Sequence, residues 1–354
     1  MKDEQPKKNK KSTIYDVAKL AGVSSSTVSR TLNSIGYVND LTRNRIIQAV
    51  NKLGYIPNRA GRTLKTTKTG LIMLAIPDTS NEIYFAMIEA VLFVAKSNGY
   101  SMVLYYTNGL HEEEMRAVRL LQENVIDGLF LVHFSYAQEL RDEICNSLSP
   151  VVLCGMCNNL WVGDDNPFDT VSIDVYQGIY DAVCHLVRMG HKRIAYLAGK
   201  KGIEVYKQRY NAYCDALRDN GIDYYESIVF WNDYSEMSGY NTGRRLFQMT
   251  ADRPTAVCAS NDLQAIGCWR AIRDLGGNIP KDMALIGIDN LSISRILGIS
   301  SMNMHEGEIG DVAARMLFTR MSEMRDDGHF PSQNLYFKPE LIARESSLGK
   351  VIQE

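Results

Sequence analysis

Polar side chains at the ends of apolar runs are the first candidates for chemistry in this chain. Asp78, His133, Asp174, Asn261 and Asp289 each close a run rich in Val, Ile, Leu or Ala. Carboxylate, amide and imidazole groups held on a rigid scaffold can bond the hydroxyls or amines of a small molecule. Other patterns carry less. Cys154-Gly-Met-Cys157 has the spacing of a redox or zinc half-site, but it lacks a second pair and a suitable His nearby. His111 with Glu112 to Glu114 reads as a solvated first helical turn. His185 and His191 stand six apart, wrong for ligands one helical turn apart. The sequence contains no phosphate-binding G-x-x-x-x-G-K, no G-x-S-x-G elbow and no G-x-G-x-x-G. The chain is therefore expected to be no enzyme and to use no metal or cofactor.

Those strand-end residues need a scaffold, and from Gly70 onward apolar runs alternate with amphipathic stretches. Leu71 to Ile76, Ser101 to Tyr106, Gly128 to Val132 and Val151 to Cys154 read as strands, with Ile83 to Ser97 and Glu112 to Glu123 as helices between them. After a polar stretch from Asn158 to Asp169 the pattern resumes. Val171 to Asp174, Arg193 to Ala198, Thr255 to Ala259 and Met283 to Ile288 read as strands, with helices to Met189, over Val205 to Asn220 and over Asp262 to Leu275. Such alternation predicts parallel sheets covered by helices, and the number of units predicts two of them. Ligands of such sheets bind beyond the carboxyl ends of the strands.

The first 70 residues have a different character. They hold 14 Lys or Arg against 4 Asp or Glu, a net of +10, whereas the remainder of the 354-residue chain is −12. A basic module that meets a polyanion, joined to an acidic body, accounts for that split. Within the module, Ile14, Val17, Ala18 and Ala21 mark one helical face, with Thr13 and Asp16 as a capping pair and Gly22 as its end. Ser24 can cap a second helix over Ser25 to Asn33, with Val28 and Leu32 inward. A third, about Leu41 to Leu53, offers Ile46, Ile47, Val50 and Leu53 to a core. Two short helices about a Gly turn form a helix-turn-helix. The longest apolar runs are far short of the roughly 18 residues a membrane span needs, and no apolar signal region follows the charged first eleven residues, so a cytoplasmic protein is expected. The seven scattered Cys fit reduced thiols.

The run TIYDVAKLAGVSSSTVSRTLN, Thr42-Arg43 and LGYIPNRAGRTLK together resemble the DNA-binding headpiece of the lac repressor (LacI/GalR) family of transcription factors. The resemblance implies that Ser25 to Asn33 is a recognition helix in the major groove, with Ser25, Ser26 and Arg30 nearest to base edges. Thr13, Tyr15, Ser24, Thr27, Ser29, Asn33, Tyr37 and Thr42 match positions that touch phosphates or support that helix. Asn58 to Leu64 resembles the family's hinge helix, with Asn58 as its cap, Arg59 and Arg62 near phosphates and Leu64 as the minor-groove wedge. Gly61 stands where the family usually has Ala, at a cost of about 1 kcal/mol in a helix.

IDVYQGIYDAVCHLVRMGHKRIAYLAG, SNDLQAIG and ALIGIDN are similar to signatures of the same family's effector domain, a two-lobed fold of the type I periplasmic-binding-protein class. The resemblance implies that Tyr84, Phe85, Arg209, Tyr234, Asn261 and Asp289 contact an effector, while Asp262 caps or orients the following helix. Here NEIYF and ILGISSMN replace the family's usual Asn-Pro and Pro-Leu-Thr-Thr runs.

The expected fold is thus an all-α helix-turn-helix headpiece followed by an α/β two-lobed domain with parallel sheets. Its parts are a disordered basic tail over 1–12, the headpiece over 13–57, a hinge helix and linker over 58–69, and an effector-binding and dimerisation domain over 70–354. The first lobe is expected over 70–168 and 293–328, and the second over 169–292 and 329–354. The expected function is a homodimeric repressor of carbohydrate-utilisation genes that binds a pseudo-palindromic double-stranded DNA operator and is switched by a small-molecule effector, a sugar. The alternatives are a catabolite-control regulator with a phosphoprotein co-repressor and, in another class, a sugar-binding transport component.

Overall fold

The computed structural model describes residues 12–32, 36–56, 68–79, 81–133, 137–147, 149–155, 168–201, 204–323 and 331–348. The chain divides into two compact units, Met1–Thr69 and Gly70–Glu354.

In the first unit, α1 (Ile14–Ala21), α2 (Ser25–Leu32) and α3 (Asp40–Leu53) enclose a core of Val17, Ala18, Ala21, Val28, Ile46 and Ala49. Thr13 and Asp16 form the expected capping box: the Asp16 carboxylate accepts from the Thr13 N–H at 2.8 Å, and the Thr13 hydroxyl accepts from the Asp16 N–H at 3.4 Å. A cap of this kind contributes about 1 kcal/mol. Gly22 and Gly54 end α1 and α3 in the left-handed conformation, which costs a residue without Cβ nothing sterically. Asn39, not a residue of the 41–53 run, caps α3 through the Leu41 N–H at 2.9 Å. Ile47, expected in the core, is 43% exposed. It follows Ile46 by one residue, so about 100° of helix rotation turns it away from the face that Ile46 buries.

The second unit contains two six-stranded sheets. The first runs β11-β5-β4-β3-β1-β2 and the second β12-β10-β9-β8-β6-β7. In chain order its elements are β1 (Leu71–Ile76), α4 (Ile83–Ser97), β2 (Ser101–Tyr106), α5 (His111–Gln122), β3 (Gly128–His133), α6 (Gln138–Cys145), β4 (Val151–Gly155) and β5 (Asp169–Ile173). Then follow α7 (Val175–Arg188), β6 (Ile194–Ala198), α8 (Glu204–Asp219), β7 (Val229–Trp231), α9 (Glu236–Phe247), β8 (Ala256–Ala259), α10 (Asp262–Asp274) and β9 (Ala284–Ile288). The last elements are α11 (Ser292–Ile296), β10 (Ser300–Asn303), α12 (Glu306–Glu323), β11 (Asn334–Phe337) and β12 (Glu340–Ile342). All strand pairs are parallel except β10 with β12. Ile72, Leu74 and Ile76 of β1 enter one apolar cluster while Met73 and Ala75 enter another, so both faces of the strand are covered. That is why these strands are unbroken apolar runs, not alternating ones.

The chain crosses between the sheets three times, and each crossing falls later than the sequence placed it. β5 belongs to the first sheet, so the first crossing comes after Ile173 and not at 169. α11 and β10 precede the second, so it falls past Asn303 and not at 293. The third separates β11 from β12, beyond Phe337 and not at 329. A strand's lobe is decided by its hydrogen-bonded neighbours, which local pattern does not reveal. Among the described residues no helix is long and apolar enough to cross a membrane.

Candidate functional site

In the first unit, the residues expected at DNA separate by what their side chains already do. The Ser24 hydroxyl caps α2, accepting from the Thr27 N–H at 3.2 Å, and shares hydrogen bonds with the Ser26 and Thr27 hydroxyls at 2.7 and 2.8 Å. Thr13 is occupied by the capping box, and Thr42 accepts from Arg45 Nη2 at 3.3 Å. Ser26 and Arg30 are exposed on α2, whereas Ser25, Thr27 and Ser29 are half-buried. Tyr15 and Tyr37 are 72% and 93% exposed. Asn33, Asn58, Arg59, Arg62 and Leu64, and with them the expected hinge helix, lie outside the described residues.

In the second unit, α8 sets Tyr206 and Arg209 three residues apart and so on one helical face. Arg209 Nη1 donates to Tyr234 Oη at 3.1 Å and to the Ser260 carbonyl at 2.6 Å, and the Tyr206 and Tyr234 ring centroids are 4.7 Å apart. Gly199, just past β6, makes room for both rings, since a Cβ there would stand 2.8 Å from each. Burial opposes the Arg209 charge, but Tyr234 and Asp289 outweigh it and hold the guanidinium firmly protonated.

Asp289 caps the end of β9 with φ of 109°, a conformation disfavoured for any residue with a Cβ. It is held there by the turn around it: the Asp289 N–H donates to the Met302 carbonyl at 2.9 Å, the Asn290 N–H to Ser301 Oγ at 2.9 Å and the Leu291 N–H to Asp262 Oδ2 at 2.8 Å. Asp262 also accepts from Ser301 Oγ at 2.7 Å. Asp262 thus fixes the Asp289 turn and does not cap α10; the cap is Asn261, whose Oδ1 accepts from the Gln264 N–H at 3.0 Å. Asn261 Nδ2 donates to the Tyr234 carbonyl at 3.0 Å, so this amide holds the Tyr234 backbone in place.

From the first lobe, Tyr84 comes to the same place. Burial raises its pKa well above the usual phenol value, and the fields of Asp289, Glu306, Asp78 and Tyr206 raise it further. Phe85 is 51% exposed, and as adjacent helical residues diverge by about 100° it lies on a different side of α4 from the buried Tyr84. Asn81 caps α4 through the Ile83 N–H at 3.1 Å, and Glu82 accepts from the Ser292 N–H at 3.1 Å, a bond from the first lobe to the second. Of the remaining strand-end residues, Asp174 caps α7 through Gln177 N at 2.9 Å, and the His133 side chain lies outside the described residues.

The sequence reading missed Tyr206 and Glu306. Tyr206 could have been found from its three-residue spacing to Arg209. Glu306 reads as a solvated first-turn acid in the run HEGE, yet it is 8% exposed, and burial pushes its carboxyl up to about 8. Burial likewise raises Asp289 well above the usual carboxylate value and Asp262 to about 6. The result is a group, among the described residues and drawn from both lobes, of three tyrosines, one arginine and three buried acids. It can bond a polar molecule on several sides, with ring faces for its apolar surfaces.

Residues 13–58 match the bacterial regulatory proteins of the lacI family, and residues 183–347 match a periplasmic binding protein-like domain. The chain is 32% identical over 339 residues to the HTH-type transcriptional repressor PurR of Mannheimia succiniciproducens, covering 94% of this chain and 98% of the relative. Among solved structures it resembles the lac repressor dimer bound to operator and the anti-inducer ONPF, with a TM-score of 0.79 and 26% identity over 96% of this chain and 100% of that one. It also resembles the transcriptional regulator CelR–cellobiose complex, with a TM-score of 0.67 and 27% identity over 95% and 100%. Helical headpiece, paired parallel sheets and near full-length likeness agree, and the chain belongs to the lacI family as a DNA-binding transcriptional regulator with a two-lobed effector domain.

Proposed function

We propose that this regulator is a homodimeric repressor of a pseudo-palindromic operator, released or tightened by a sugar held between its lobes. The observation that carries the effector reading is the Arg209–Tyr234 pair with Asp289 on the second lobe and Tyr84 on the first: ring faces pack on a pyranose while guanidinium and carboxylate bond its hydroxyls. The similarity to the CelR–cellobiose complex supports that class of ligand.

On the DNA side, Arg30 reads a guanine edge through O6 and N7, Ser25 and Ser26 discriminate weakly, and Tyr15, Tyr37, Thr27, Ser29 and Thr42 position α2 on the backbone. Two headpieces are needed for two half-sites. A second copy of the chain fits the exposed apolar edge of the first lobe, where Phe93 of α4 is 66% exposed and Leu104 and Tyr106 stand out from edge strand β2. The protein acts by binding, in the cytoplasm where its operator is. Effector and DNA are linked, so each alters the other's affinity by one factor.

The test is fluorescence anisotropy with a palindromic duplex and a scrambled one, with and without single sugars. A dimer that prefers the palindrome and changes its affinity with one sugar is the expected result. Equal affinity for both duplexes, unmoved by any sugar, overturns the reading.

A further inference from the structure

The acids of the cleft are not equally provided for. Asp262 accepts from Ser301 Oγ and the Leu291 N–H. Asp289 lies in the field of Arg209, which favours its carboxylate form against the effect of burial. Glu306, at the start of α12, is more than nine-tenths buried; its carboxyl accepts from its own backbone N–H, but its Oε1 has no hydrogen-bond partner among the described residues. A buried carboxyl oxygen left without a donor is costly, of the order of 1–3 kcal/mol, and native proteins rarely keep one without a use.

The groups around Glu306 define what could use it. Arg209 from α8 is the cation whose field acts on Glu306, Arg344 acts on Asp262, Asp289 and Asp262 belong to the second lobe, and Glu308 stands on its own helix 3.6 Å from His305. Tyr84 lies close enough for Glu306 to raise its phenol, and Tyr84 in turn neighbours Tyr206. With Arg209 acting on Asp289, and Asp262 held by Ser301 Oγ and the Leu291 N–H, Glu306 is the acid of this group left with an oxygen that has no donor among the described residues. An ammonium group supplies a positive charge and three donors at a point, and tyrosine faces attract it further.

We propose that the effector carries a positively charged amino group, as an amino sugar does, and that Glu306 receives it. This rests on the effector cleft assigned above and narrows its ligand. Without ligand the Glu306 carboxyl is protonated at pH 7, because burial raises it to about 8. An arriving ammonium pairs with the carboxylate form, so the carboxyl O–H proton leaves to solvent and binding releases about one proton.

The test uses the full-length chain and isothermal titration calorimetry at pH 7 with glucosamine, galactosamine and mannosamine, each beside its parent hexose and its N-acetyl derivative. Two buffers of different ionisation enthalpy count the protons released. The expected result is that a free amino sugar binds about 30-fold or more tightly than its uncharged counterparts, with release of about one proton, and that Glu306→Gln collapses this preference. If the variant fails to fold, the comparison of amine with N-acetyl derivative on the natural protein decides alone. A neutral sugar that binds as well as its amino form overturns the charge assignment and leaves the sugar cleft standing. Absence of binding by amino and neutral sugars alike overturns both.

Discussion

Glu306 also makes a quantitative prediction for stability. Its carboxyl has an ordinary value of 4.5 and is raised to about 8 in the folded chain by burial, against the opposing field of Arg209. Between those two pH values the folded state holds a proton that the unfolded state has released, so stability falls as pH rises through that window and is level above it. A displacement of that size, at about 1.4 kcal/mol per pH unit, corresponds to an upper limit of roughly 5 kcal/mol, and water entering the cleft reduces it to about 2–5 kcal/mol. Glu306→Gln keeps the shape of the protonated acid and removes the titration. The variant should match the natural protein near pH 5 and exceed it by about 2–5 kcal/mol at pH 9. Urea unfolding followed by tryptophan fluorescence reads this cleanly, because all three Trp, at 161, 231 and 269, fall in the second unit. Asp262 and Asp289 titrate in both proteins and cancel in the comparison to first order. Stability curves that stay parallel from pH 5 to 9 would refute the burial argument.

Three further substitutions probe other parts. Arg30→Ala should weaken operator binding by about 1–3 kcal/mol and relax selectivity at one base pair per half-site, seen in anisotropy against single-base operator variants; a uniform loss over all variants would make Arg30 a phosphate contact. Gly239→Ala drives a Cβ to 2.1 Å from the Gln264 carbonyl where α9 meets α10, and should lower the melting temperature by several degrees through overpacking of about 1–3 kcal/mol. Arg320→Met removes the fork that holds Asp169 at 2.8 and 2.6 Å, leaving that acid, 3% exposed, without its counter-ion; a loss of about 3 kcal/mol or more in urea is expected, and Asp169→Asn in the same chain should recover part of it.

The legible part of this chain was what neighbours in sequence decide. The capping box at Thr13, the glycine stops at 22 and 54, and the strands as apolar runs all follow from spacing within a turn or two. Ile47 failed because a four-residue apolar set was wider than the face that α2 and α1 cover. That Asn261 caps α10 while Asp262 fixes the Asp289 turn was hidden because partners of these two residues, Tyr234, Ser301 and Leu291, arrive from 27 to 39 residues away. Glu306 was invisible for the same reason. A Glu in the first turn of a helix is ordinarily solvated, and only the packing of that turn beside Tyr84 and Asp289 buries it.

The three passages of the chain between the sheets bear on how this regulator can be recombined. A single cut near Thr69 separates the first unit as one piece of sequence, so grafting it onto another effector body is one splice. Neither sheet is such a piece: β11 returns to the first after β10 has completed most of the second, and β12 goes back again. Exchanging one lobe alone requires three splices, and a chain shortened to end after Asn303 would strip an edge strand from each sheet as well as α12 with its carboxylate. New operator specificity is therefore the trait this architecture exchanges most readily, while new ligand specificity has to be acquired residue by residue.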